Sequence, residues 1–222
     1  MFNELVKKVK EEYRKATQAE VVHPEIFQDT LATKVSWVPL KNGGANFRTH
    51  KVIKVDENNL EVQPTLMSKI FAHIFMIAGA VMIAYSLYKL SEVAWQFQEE
   101  DYFLFGGGLL FCVISIVFNI FMVQKKYFDK TQGYYWVGKK GPREVYNPNE
   151  DKHFTKLSAI YALQIIKERI RSDKGNYNSY ELNLVCKDKS RVNVMDHAKI
   201  DSLREDAQTI SQFLGVPLWD ST

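Results

Sequence analysis

Two apolar runs without a single Asp, Glu, Lys or Arg, residues 70–88 and 102–123, restrict what this chain can become. A helix rises about 1.5 Å per residue, so either run reaches across a hydrocarbon layer of roughly 30 Å. Both outlast the ordinary buried helix of a soluble protein. The pattern predicts a transmembrane helical hairpin over 70–123, with polar segments on either side. The link between the runs carries Glu92, Glu99, Glu100 and Asp101 and, beyond Lys89, no cation. Lys51, Lys54 and Lys69 precede the hairpin, and Lys125, Lys126 and Lys130 follow it. Positive flanks stay in the cytoplasm, so both termini are expected inside and the acidic link outside. Lys89 can snorkel to the headgroups.

The remaining residues are too polar to enter lipid and long enough for one or two small folded domains. Net charge is +3, too slight for a nucleic-acid binder. The first residues are charged throughout and lack the apolar core of a signal peptide, so the first span is expected to act as its own insertion signal. Cys112 in a span and Cys186 beyond it are not placed to pair and lack metal-ligand company; both read as structural thiols.

Residues 1–29 read as an N-terminal amphipathic helix, over 3–19, and a connector. Phe2, Leu5, Val6, Val9 and Tyr13 form one narrow apolar stripe. Such a helix lies on the inner leaflet or docks on its own domain. Residues 30–66 read as strands. The period changes to two near Lys34, giving a strand over 35–40, a second within 47–55 and a third over 60–62, separated by turns at 41–44 and 56–59.

Within the hairpin, Gly79 and the run Gly106, Gly107 and Gly108 permit close helix approach. They pack the two spans together or seat a partner helix, a second copy of the chain included. His73 and Asn119 lie near the cytoplasmic ends, where they reach the interface or bond each other. Neither sits at the midplane, where a carrier would need an ionisable group.

Beyond the membrane, residues 127–137 read as strand, turn at Gly133, strand, and 138–142 as a basic turn. Residues 157–171 fit a helix or a buried strand; the strand is preferred because its neighbours are strands. Tyr180, Leu182, Leu184 and Cys186 alternate with Glu181, Asn183 and Lys187, and Val192 and Val194 return, predicting an antiparallel hairpin with the polar set outward. Ser202 and Glu205 suggest a capping box. Leu203, Ala207, Ile210 and Leu214 make the stripe of a last helix that Gly215 and Pro217 end.

About seven strands and a closing amphipathic helix, three strands before the hairpin and four after, are the layout of a pleckstrin-homology-like barrel. The expected class is therefore membrane α+β: a two-helix hairpin with a cytoplasmic antiparallel β domain, its C-terminal part over 127–219. The order of two spans, residues 127–133, a strand centred on Ile160 and Ile165, a hairpin and a final helix ending in residues 213–218 resembles the photosystem I assembly factor family of chloroplasts and cyanobacteria. It also resembles uncharacterised bacterial inner-membrane proteins with a pleckstrin-homology-like domain. The resemblance covers roughly residues 70–219 and implies the fold, a scaffold role and a bacterial cytoplasmic-membrane location. It does not extend to photosynthesis, and the N-terminal segment here is longer.

Catalytic signatures such as a P-loop, GxSxG, HExxH or paired CxxC are missing from the sequence, and neither an enzyme nor a cofactor is expected. Asp196 and His197 beside Asp201 read as structural. The basic residues Lys125, Lys126, Lys130, Lys139, Lys140 and Arg143 form a candidate membrane-surface patch, suited to topology and solubility or to anionic lipid headgroups. Two functions stay open: a scaffold or assembly protein binding a protein partner, with lipid, at the cytoplasmic face, and an immunity-type protein that neutralises a membrane-acting toxin.

Overall fold

The computed structural model describes residues 17–19, 22–40, 44–92, 99–151, 153–172 and 175–222. The strands before the hairpin are β1 (Thr17–Ala19), β2 (His50–Lys54) and β3 (Asn59–Pro64). The apolar helices are α1 (Leu66–Glu92) and α2 (Glu99–Met122). Then come β4 (Lys126–Asp129), β5 (Tyr134–Val137), β6 (Phe154–Lys156), β7 (Ile160–Ser172), β8 (Gly175–Cys186) and β9 (Arg191–His197), followed by α3 (Ile200–Leu214) and β10 (Leu218–Asp220).

The chain divides into two compact units, one holding α1 and α2 (Pro64–Lys125) and the other everything around them. Strand β3 pairs antiparallel with β4, Leu60 opposite Phe128 and Val62 opposite Lys126. The two helices thus occupy the place of a turn between neighbouring strands. One sheet runs β2-β3-β4-β5-β6; the other runs β1-β7-β8-β9, with β10 added parallel to β7. Leu60 and Val62 share a core with Phe128, Tyr135, Leu163, Ile165, Leu182, Leu184 and Met195. Each such side chain contributes roughly 1.5–3 kcal/mol by leaving water. Helix α3 seals this core with Leu203, Ala207 and Ile210, all fully buried. Phe213 joins them, whereas Leu214 is only half-buried.

The expected strand over residues 35–40 does not form. Val35 and Trp37 pack as strand residues would, beside Ala32, Ala162, Val185 and Trp219, but among the described residues no strand pairs with this backbone. Side chains of the β7–β8–β9 sheet satisfy it instead. Glu181 accepts the Leu40 N–H at 2.9 Å, Gln164 donates to the Ser36 carbonyl at 3.1 Å, and Arg191 donates to the Val38 carbonyl at 2.9 Å. Glu181 and Asn183 are accordingly buried beneath this segment rather than turned to solvent.

Two further corrections concern chain ends and caps. Residues 17–19, the end of the expected N-terminal helix, form a strand against Glu168–Ile170; most of that helix lies outside the described residues, as do residues 41–43 of the expected turn. The helix α3 starts at Ile200, capped at Lys199 without a side-chain hydrogen bond, so Ser202 and Glu205 are not a capping box. Gly215 does close it in the left-handed region, with φ +69° and its N–H bonded to the Ser211 carbonyl at 2.8 Å.

Helices α1 and α2 are each long and apolar enough to cross a membrane. Ile70, Ile74, Ile77 and Val81 on the first, and Val113, Ile116 and Ile120 on the second, stay half or more exposed, as surfaces that face lipid do. They approach closely at Gly79 and Gly108. A Cβ on Gly79 would stand 2.6 Å from the Gly108 carbonyl, and one on Gly108 would stand 2.8 Å from that of Gly79. Gly107 faces Met82. Gly106 faces open space, so it takes no part in this packing. Ser115 donates to the Ala72 carbonyl at 2.7 Å, a bond between helices. His73 and Asn119 do not meet: each bonds a carbonyl one turn back on its own helix, Lys69 and Ser115 respectively.

Candidate functional site

Strand β6 is terminal in its sheet and β9 in the other: among the described residues, β6 pairs only with β5 and β9 only with β8. A groove of about 350 Å³ runs between them, lined by Phe154, Thr155 and Lys156 on one wall and by Ser190 and Val192 on the other. Its floor includes Cys186, which is 5% exposed. Burial holds that thiol above its ordinary range, so it stays a protonated, weakly reactive wall group. At one end the Tyr134 hydroxyl donates to Asn149 at 2.8 Å.

The rims carry opposite charges. Ser190 donates to the Asp188 carboxylate through its hydroxyl at 2.6 Å and its N–H at 2.9 Å. These bonds hold the Asp188 carboxyl below the usual range. Lys156 stands exposed on the opposite wall. An unpaired strand edge presents N–H and C=O groups to anything that lies alongside at about 4.8 Å. Of β9 only Val192 lines the groove, and carbonyls further along that strand are engaged, Val194 by Lys126 and Asp196 by Thr49. The β6 edge beside the groove suits an extended polypeptide, with the rim charges setting its direction. No motif in the sequence marks this groove; its walls come from residues 134–156 and 186–192, brought together only by the sheet order.

The six basic residues separate. Lys126 is buried, and its ammonium donates to the Val194 carbonyl, which removes it from any surface patch. Lys130 lies at the other end of β4, its ammonium 4.3 Å from the centre of the Phe213 ring. Lys125 is exposed just before β4. Lys139, Lys140 and Arg143 remain together on the loop after β5, all exposed.

Asp196 and His197 do not form a reactive pair. The Asp196 carboxylate accepts from Asn193 at 3.1 Å. The His197 ring is fully buried, and neither nitrogen has a hydrogen-bond partner. Burial, then the Arg48 charge, pushes its pKa down to about 4. The His50 backbone faces the ring and opposes that shift, without reaching hydrogen-bond geometry. Around it Arg48 pairs with Asp206 at 2.7 Å, Asp206 accepts the Val52 N–H at 3.0 Å, and Thr49 donates to the Asp196 carbonyl at 2.8 Å. These contacts fasten the start of β2 to β9 and α3. Among the described residues no cluster of His, Cys, Asp and Glu is arranged to hold a metal ion.

Comparison with protein-family models, with curated proteins and with solved structures finds no match to this chain.

Proposed function

We propose that the chain is a non-catalytic, membrane-anchored scaffold that binds a protein partner at the cytoplasmic face of a bacterial inner membrane. The observation that carries this reading is the groove along β6, with Val192 of β9 on its far wall, which takes an extended partner segment as a strand added to the β6 edge. Pairing of β3 with β4 across the hairpin supports the anchoring half of the proposal. One sheet built from both flanks favours a topology with both flanks on one side of the bilayer. The lysines around the hairpin and the acids between its helices favour the cytoplasmic side. The two sheets closed by α3 support the pleckstrin-homology-like layout, in which the helix takes the place of a barrel end.

Photo-crosslinking in native membranes tests the partner. Benzoylphenylalanine at Thr155 or Ser190 of the full-length chain is expected to give the same discrete protein adduct. The same group at Gln208, exposed on α3, is expected to give none. Equal adducts from all three positions, or none from the groove, would overturn the proposal.

A further inference from the structure

Val62, Lys126 and Val137 lie in one row across β3, β4 and β5. The chain leaves for α1 just beyond Val62, and it returns from α2 just before Lys126. The loop that follows Val137 therefore begins at the sheet end where both crossings to the hairpin are made.

That loop is held in shape. Gly138 turns it with φ +98°, Pro142 is buried, and Gly141 and Glu144 bond each other twice. The Gly141 N–H donates to the Glu144 carboxylate at 2.9 Å, and the Glu144 N–H donates to the Gly141 carbonyl at 3.0 Å. The one acid in this part of the loop is thus engaged by backbone. Lys139, Lys140 and Arg143 are exposed, and among the described residues none forms an ion pair. Tyr146 projects fully into solvent at 106% relative exposure. The acids Glu150 and Asp151 follow further on, and Asp151 accepts the His153 N–H at 2.9 Å.

We infer that Lys139, Lys140 and Arg143, with Tyr146 beside them, form a second membrane contact that takes the anionic headgroups of phospholipids. The inference rests on the reading of α1 and α2 as membrane spans. Charge complementarity and continuity with the two crossing points identify the ligand: phosphodiesters on a surface, reached by cations on a preformed loop. A phenol at such a tip suits the headgroup layer. Three cations at an anionic leaflet favour the bound loop on the order of 100-fold, and salt weakens that preference.

The test uses the full-length chain with Cys112 and Cys186 changed to Ser, in nanodiscs of phosphatidylcholine alone or mixed equally with phosphatidylglycerol. A nitroxide at Tyr146→Cys reports its access to an aqueous nickel chelate, and one at Ile116→Cys reports on the span. The expected result is access at position 146 lowered roughly tenfold by phosphatidylglycerol, restored by K139E/K140E/R143E or by high salt. Equal aqueous access at 146 in both lipids, with Ile116→Cys in lipid, overturns the loop contact alone. Aqueous access at Ile116→Cys overturns the membrane reading, and the loop contact falls with it.

Discussion

Val62 and Lys126 stand opposite each other on neighbouring antiparallel strands, although the whole helical hairpin separates them in sequence. The helices are an insertion into a sheet, and the sheet is complete without them.

Joining Gln63 to Lys125 through an Asn-Gly turn, which keeps Val62 opposite Lys126, should yield a soluble protein, because neighbouring antiparallel strands need only a short link. Urea titration followed by circular dichroism should show one cooperative transition. A broad, non-cooperative loss of signal would mean that the hairpin is needed for the sheet to close.

Acid should weaken the folded unit through His197. Its folded pKa, pushed to about 4, lies below the ordinary value of 6.5. Between those values the unfolded chain binds the proton that the folded one excludes, so stability falls as pH drops through that window. Linkage gives a loss of about 2 kcal/mol between pH 7 and pH 5. Urea midpoints at the two pH values read this directly, and His197→Phe should remove most of the difference.

Asp206→Ala should destabilise by about 2–3 kcal/mol, since Arg48 and the Val52 N–H would both lose their carboxylate. Arg48 is partly exposed, which keeps the loss below that of a fully buried pair. Chemical denaturation of the wild type and the variant measures it. A change below about 0.5 kcal/mol would show that the contact adds nothing to the closure of β2 on α3.

Gly108→Ile should force α1 and α2 apart, because its Cβ alone would already meet the Gly79 carbonyl. Gly106→Ala should be neutral, since nothing lies near that position. Disulfide capture between Ala72→Cys and Ser115→Cys, in a chain lacking native cysteines, should fail in the first background and persist in the second.

The elements legible in the sequence are those whose cause is local. Uncharged runs of spanning length mark α1 and α2, alternation marks β8 and β9, and Gly215 with Pro217 marks the end of α3. What escaped depends on distant groups. Residues 35–40 alternate like a strand, yet their backbone partners are the side chains of Gln164, Glu181 and Arg191. Charge placed Lys126 among surface cations, whereas the pairing of β4 turned it toward the Val194 carbonyl. The short strands β1, β6 and β10 have no pattern of their own and exist because β7 and β5 offer them an edge. The groove escaped for the same reason, being made by sheet order.

Labelling of intact and lysed cells with a membrane-impermeant maleimide tests the central arrangement most directly. Single cysteines at Lys51, Ser91 and Gln208, all exposed positions, would stand in the first flank, the end of α1 and the second flank. With both flanks inside and the link outside, Ser91→Cys reacts in intact cells, while Lys51→Cys and Gln208→Cys react only after lysis. Reaction of Lys51→Cys and Gln208→Cys from opposite sides of the membrane would contradict this arrangement.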